Sequence, residues 1–253
     1  MPLSLAILTS LLTAAFVSMA AYALLGSRPD ADAQKKGTRF LMGVGDFLVH
    51  WFLWTLTPIE RLLLRLGATP DIFNFAGLGF GLLSGVLIGT GRLELGGLAI
   101  ALGGVSDILD GRLARALKLE SDYGKFIDST LDRFVEVFAF LGFVLYLRPH
   151  AWGPLVAAAA ITGSLLVSYA RARGESVGVL CKEGLMQRAE RLVLTCLACF
   201  FDPPLSLHFG WAPGSVVLWA LLLIAVGTFI TAAQRTVWIA LRQTPDWRWG
   251  LDR

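Results

Sequence analysis

Four aspartates, Asp107, Asp110, Asp128 and Asp132, fall within 26 residues of one another, where one apolar stretch ends and the next begins. Asp107 and Asp110 are three residues apart and Asp128 and Asp132 four apart, so each pair occupies one face of a helix. An ionised aspartate at membrane depth costs about 2.5–3.5 kcal/mol, and crowding like charges costs more. Arg112, Arg115, Lys125 and Arg133 are near in sequence, but a side chain one residue along a helix from an aspartate points away from it. Divalent cations resolve the conflict. Carboxylate oxygens suit Mg²⁺, Mn²⁺ or Ca²⁺, and Mg²⁺ is usually held by one or two carboxylates together with substrate phosphates. The chemistry implied is metal-assisted work on a diphosphate. Gly111 and Ala114 leave room for a ligand lying against the first helix, and Gly124 stands one turn before Asp128.

The elements that must position these carboxylates are membrane helices. The 253 residues are 55% hydrophobic and 16% charged, with a mean hydropathy of +0.65, too apolar for an ordinary soluble domain. Stretches long enough to span a bilayer are expected at 3–26, 72–91, 94–111, 126–146, 152–170, 192–209 and 214–234. The 192–209 stretch is the weakest because it contains Asp202, Pro203, Pro204 and His208. Segments 27–71, 112–125, 171–191 and 235–253 hold 6, 4, 5 and 4 basic residues, whereas the alternate loops hold Arg92 and Arg148. Positive charge accumulates on the cytoplasmic side, so the basic loops and the C-terminus are expected there.

The first stretch has no preceding positive charge and is followed by Arg28, Lys35, Lys36 and Arg39, so it reads as a retained anchor with its N-terminus outside. The fold class expected is all-α integral membrane: a six-helix transmembrane core, an additional N-terminal anchor and an interfacial amphipathic segment. Residues 1–37 are the anchor and polar linker, 38–69 interfacial helices interrupted at Pro58, 70–241 the catalytic core and 242–253 a cytoplasmic tail. The glycines at 77, 79, 81, 85, 89 and 91 read as helix packing. His50, His150 and His208 have no second ligand at metal spacing, and Cys181, Cys196 and Cys199 read as packing residues.

The string Asp107-x-x-Asp110-Gly111-x-x-Ala114-Arg115, eight residues, then Gly124-x-x-x-Asp128-x-x-x-Asp132 resembles the signature of the CDP-alcohol phosphotransferase family at every fixed position. Eight such positions match by chance on the order of 10⁻¹⁰ per start point. The resemblance covers about residues 65–240. It departs before the first core helix, where Pro70-Asp71-Ile72-Phe73-Asn74 replaces the frequent Pro-Asn-x-x-Thr. It implies transfer of a phosphatidyl group from a CDP-linked donor, most simply CDP-diacylglycerol, to an alcohol, with release of CMP. It further implies two Mg²⁺ or Mn²⁺ ions on Asp107, Asp110, Asp128 and Asp132, with Asp132 as general base. Asp107, Asp110, Gly111, Ala114 and Arg115 would line the nucleotide pocket. The family habit is a homodimer.

A basic segment follows: Ser168, Tyr169, Arg171, Arg173, Lys182, Arg188 and Arg191, with Arg235 farther on. Topology alone explains any one of these charges, but arginine forks also bind phosphate. The segment is similar to family members that accept inositol phosphate, which implies Ser168, Arg171, Arg188, Arg191 and Arg235 as acceptor contacts. Phosphatidylglycerophosphate synthesis is the alternative. An intramembrane prenyltransferase would carry two distant Asp-rich motifs, and a transporter or proton relay would spread its acids along a pathway. The partners expected are the lipid donor, a small polar alcohol and membrane lipids, with no nucleic acid, and the active site faces the cytoplasm.

Overall fold

The apolar stretches become helices in a computed structural model that describes residues 3–25, 44–181 and 183–243. The linker cations Arg28, Lys35, Lys36 and Arg39, Lys182 of the basic segment, and residues 244–253 of the tail lie outside the described residues. Eight helices and no strand occur among the described residues: α1 (Leu3–Leu25), α2 (Val44–Arg65), α3 (Pro70–Gly89), α4 (Leu93–Leu117), α5 (Asp122–Tyr146), α6 (Gly153–Ser176), α7 (Arg188–Phe209) and α8 (Ser215–Gln243). Four of them, α3, α6, α7 and α8, are long and apolar enough to cross a membrane. α4 and α5 are each 25 residues long, but the charges of the aspartate motif lie within them and lower their hydropathy. The chain divides into two units, Met1–Asn74 with Ser106–Lys125, and Phe75–Val105 with Phe126–Arg253.

In the first unit, Trp51 Nε1 on α2 donates to Ser18 Oγ on α1 at 3.1 Å. The Tyr22 ring lies 5.4 Å from that of Phe47 and 5.6 Å from that of Trp54, distances typical of aromatic pairs. α2 continues through Pro58, a correction to the expected interruption. Near the proline, threonine hydroxyls fold back on the helix: Phe52 O accepts from Thr55 Oγ1 at 2.7 Å and Leu53 O from Thr57 Oγ1 at 3.1 Å.

In the second unit, α6 and α7 pack along α8 around a core that includes Phe140, Phe143, Leu147, Val217, Leu221 and Ile224. Gly81 and Gly85 of α3 press on α5, where an added Cβ would run into Val135 and the Phe138 carbonyl. Gly79 has no such neighbour, and Gly91 makes a left-handed turn at φ 83°, so packing accounts for only part of that glycine run. α7 continues through Asp202, Pro203 and Pro204, and Asp202 is accommodated in it by structural partners. Its carboxylate is 1% exposed and accepts from the N–H groups of Gly214, Val216 and Val217 at 2.9, 2.9 and 3.1 Å. Those are donors that the start of a helix leaves without intrahelical partners, so an acid that looked foreign to a span anchors the next one.

Candidate active site

The first carboxylate pair sits near the C-terminal end of α4. Asp110 is 6% exposed and Asp107 half-buried. At 100° per residue, Asp107, Asp110, Gly111, Ala114 and Arg115 occupy one side of the helix. The helix closes at Lys118, a non-glycine residue with φ 55°, where Leu119 N donates to Ala114 O at 2.9 Å and Lys118 N to Arg115 O at 3.2 Å. This double bond pattern is a usual helix ending, generally built with glycine. Ser121 then caps α5, its Oγ accepting the Gly124 N–H at 3.0 Å. The heavy atom nearest to a Cβ added at Gly111 would be Arg115 Nη1, at 3.4 Å. Unlike Gly81 and Gly85, Gly111 is not required by tight packing, and it leaves a cradle beside a guanidinium.

The second pair, Asp128 and Asp132, is half-buried on α5. Asp132 Oδ1 pairs with Arg188 Nη2 at 2.5 Å, with the two side chains 21% and 32% exposed. One turn along α5, Glu136 takes the Arg191 fork, Nε to Oε1 at 2.5 Å and Nη2 to Oε2 at 3.0 Å, while Arg191 Nη1 donates to Met186 O at 3.3 Å. Arg191 is 2% exposed. The start of α7 that carries both arginines is fixed by a capping box, with Gln187 N donating to Glu190 Oε2 at 3.1 Å.

The remaining basic residues come from α6 and α8. Arg235, 3% exposed, donates to Glu183 O at 2.8 Å and Val167 O at 3.0 Å. Thr231 Oγ1 accepts the Met186 N–H at 2.9 Å, so α8 pins the segment that leads into α7. Arg171 is 49% exposed and pairs with Glu175, four residues on, at 2.9 Å. Arg171 on α6, Arg191 on α7 and Arg235 on α8 are thus each engaged within the protein, by a carboxylate or by backbone carbonyls. Ser168, on α6, is half-buried. Glu136 was missed in the sequence, although it continues the four-residue spacing of Asp128 and Asp132.

These elements coincide with a known pattern. The sequence pattern described as CDP-alcohol phosphatidyltransferase matches residues 68–230, which include all four aspartates. The chain belongs to the CDP-alcohol phosphatidyltransferase family. A phosphatidylinositol phosphate synthase of Streptomyces avermitilis is 38% identical over 195 residues, 74% of this chain and 78% of the relative. One from Mycobacteroides abscessus is 33% identical over 183 residues, 70% and 80% of the two chains. The crystal structure of Mycobacterium tuberculosis phosphatidylinositol phosphate synthase with CDP-DAG bound superimposes with a TM-score of 0.65 at 27% identity, covering 78% of this chain and 96% of that one. The same enzyme in complex with manganese and citrate has a TM-score of 0.65, covering 78% and 92%.

This phosphatidyltransferase is therefore an integral membrane enzyme of phospholipid synthesis that uses divalent metal. Its donor set fits that cofactor, because the motif carries four carboxylates, whose oxygens are the ligands hard cations take, and the Gly111 cradle leaves space beside one pair.

Proposed function

We propose that this phosphatidyltransferase moves the phosphatidyl group of CDP-diacylglycerol onto inositol phosphate and releases CMP. Asp107, Asp110, Asp128 and Asp132 hold two Mg²⁺ or Mn²⁺ ions, with Asp107, Asp110, Gly111, Ala114 and Arg115 against the nucleotide. When bound, the metal polarises the diphosphate and neutralises charge developing on CMP. Asp132 takes the proton as the acceptor oxygen bonds to the phosphatidyl phosphorus. The bond from that phosphorus to CMP breaks, and its electron pair leaves on CMP. Ser168, Arg171, Arg188, Arg191 and Arg235 form the acceptor side. Residues 70–241 form a six-span core behind an N-terminal anchor and an interfacial α2. The enzyme works as a homodimer with its site open to the cytoplasm.

The Asp132–Arg188 ion pair carries the acceptor reading. An acceptor phosphate competes with Asp132 for the guanidinium, and its arrival frees the carboxylate to accept a proton. An alcohol without phosphate leaves the base engaged. Support also comes from relatives named for phosphatidylinositol phosphate synthesis. Glycerol 3-phosphate is the second reading, because a guanidinium fork recognises phosphate whatever the carbon skeleton.

The test is CMP release by purified enzyme given CDP-diacylglycerol, Mg²⁺ and, separately, inositol phosphate, glycerol 3-phosphate, free inositol and serine. Inositol phosphate should turn over fastest, and a preference for an uncharged alcohol overturns the acceptor assignment. Asp132→Asn should lose turnover while keeping donor binding. Equal loss of both would make Asp132 a plain metal ligand.

A further inference from the structure

Arg112 occupies an unfixed position of the motif, between Gly111 and Ala114. It projects about 160° round α4 from Asp110 and about 140° from Asp107, so it leaves the helix on the side opposite the two carboxylates. There it is gripped by three successive turns of α2. Nε donates to Glu60 Oε2 at 2.5 Å, Nη1 to Leu53 O at 3.2 Å and Nη2 to Thr57 Oγ1 at 3.2 Å. The pair is largely removed from solvent, with the Arg112 and Glu60 side chains 11% and 16% exposed. α2 lies outside the matched family segment, 68–230, yet Ser106–Lys125 groups with the N-terminal residues and not with the rest of the chain. α2 is itself held to α1 through the Trp51–Ser18 bond.

We propose that Glu60 and Thr57 of α2 are positioning residues for the donor half of the reaction, acting through Arg112. The last turns of a helix fray unless tied, and α4 must present Asp107, Asp110, Gly111 and Arg115 in one register to a metal-bound diphosphate. A guanidinium held at three points on the back of the helix fixes both its rotation and its height. The N-terminal extension thereby becomes part of the donor site without touching the nucleotide. This inference rests on reading the motif as the donor site, and it concerns CDP-linked lipid and metal, not the acceptor.

The test is steady-state kinetics of the full chain in detergent, with CMP binding in the presence of Mn²⁺ as a second readout. Glu60→Gln and Arg112→Met should each raise the donor KM and the metal concentration for half-activity roughly ten-fold, the scale of one hydrogen bond to a charged group. The acceptor KM should stay at the wild-type value. Thr57→Val removes one contact without stranding a charge and should give the same shift, smaller in size. The exchange Glu60→Arg with Arg112→Glu should recover part of the donor affinity. Folded variants with wild-type donor KM and metal requirement, or with donor and acceptor constants equally changed, overturn the inference. If instead the wild type shows no metal-dependent donor binding, the donor-site reading fails first and takes this inference with it.

Discussion

The acidic motif and the basic segment are both charge clusters in an apolar chain, but they are built by different means. Each carboxylate pair is made within one helix: Asp107 and Asp110 share a face of α4, and Asp128 and Asp132 a face of α5, as spacings of three and four require. The basic cluster is made between helices, from Arg171 on α6, Arg188 and Arg191 on α7, and Arg235 on α8. Each arginine there is held differently: by a carboxylate four residues away, by a carboxylate on α5, by a bidentate fork, or by two backbone carbonyls. A site written in local spacing fails through its chemistry when altered. A site assembled by packing fails through its architecture.

The largest effect should follow from breaking the acidic side. Replacing Asp107, Asp110 or Asp128 with Asn should reduce metal-dependent CMP release to background, because each change removes an anionic ligand. The same change relieves crowded negative charge, so thermal stability without metal should hold or rise. Activity at the wild-type level in all three variants would refute the metal assignment, and a collapse in stability would show that these carboxylates serve the fold.

The same division explains what could be read before the structure. The motif was legible because a helix repeats every 3.6 residues, and the seven apolar stretches because a span needs about 20 apolar residues; each stretch corresponds to a helix in the structure. The number of spans was less legible. α4 and α5 carry the motif charges, so hydropathy separates them from α3, α6, α7 and α8. Partners distant in sequence left no local signal. Nothing around Glu60 announces Arg112, 52 residues away. Asp202 looked like a flaw in a span because its partners, Gly214, Val216 and Val217, lie in the next helix. Pro58 looked like a break, yet α2 passes through it.

A second effect should come from the buried fork of Arg191 on Glu136. Removing one partner leaves the other charge buried, a loss of about 3–5 kcal/mol. Arg191→Ala and Glu136→Ala should therefore each lower the thermal midpoint substantially, whether or not acceptor is present. Replacing both, Arg191→Met with Glu136→Leu, should restore most of that stability, since a well-packed apolar pair often matches a buried ion pair. If the double variant is as unstable as either single one, packing around the pair decides the stability. If it also keeps wild-type use of inositol phosphate, Arg191 serves the fold alone.

The smallest effects separate the two more exposed arginines, and they sharpen the comparison most. Arg171 is half in solvent and pairs with Glu175 along one helix, an arrangement worth only about 0.3–0.5 kcal/mol. Arg188 is partly exposed and pairs with Asp132. Neither replacement by Ala should shift the thermal midpoint much, so any kinetic change reports on substrate. Arg188→Ala should raise the inositol phosphate KM about ten- to a hundredfold, the loss of one charge-assisted contact, with donor KM unchanged. Arg188→Lys should recover part of it, because an ammonium keeps the charge but not the fork. Arg171→Ala should show a smaller rise of the same kind. Free inositol provides the control: its slow turnover should not worsen in Arg188→Ala and should improve if removing the guanidinium frees Asp132. An equal fall in turnover for phosphorylated and unphosphorylated acceptors would mean that Arg188 orients the carboxylate and does not meet the acceptor phosphate.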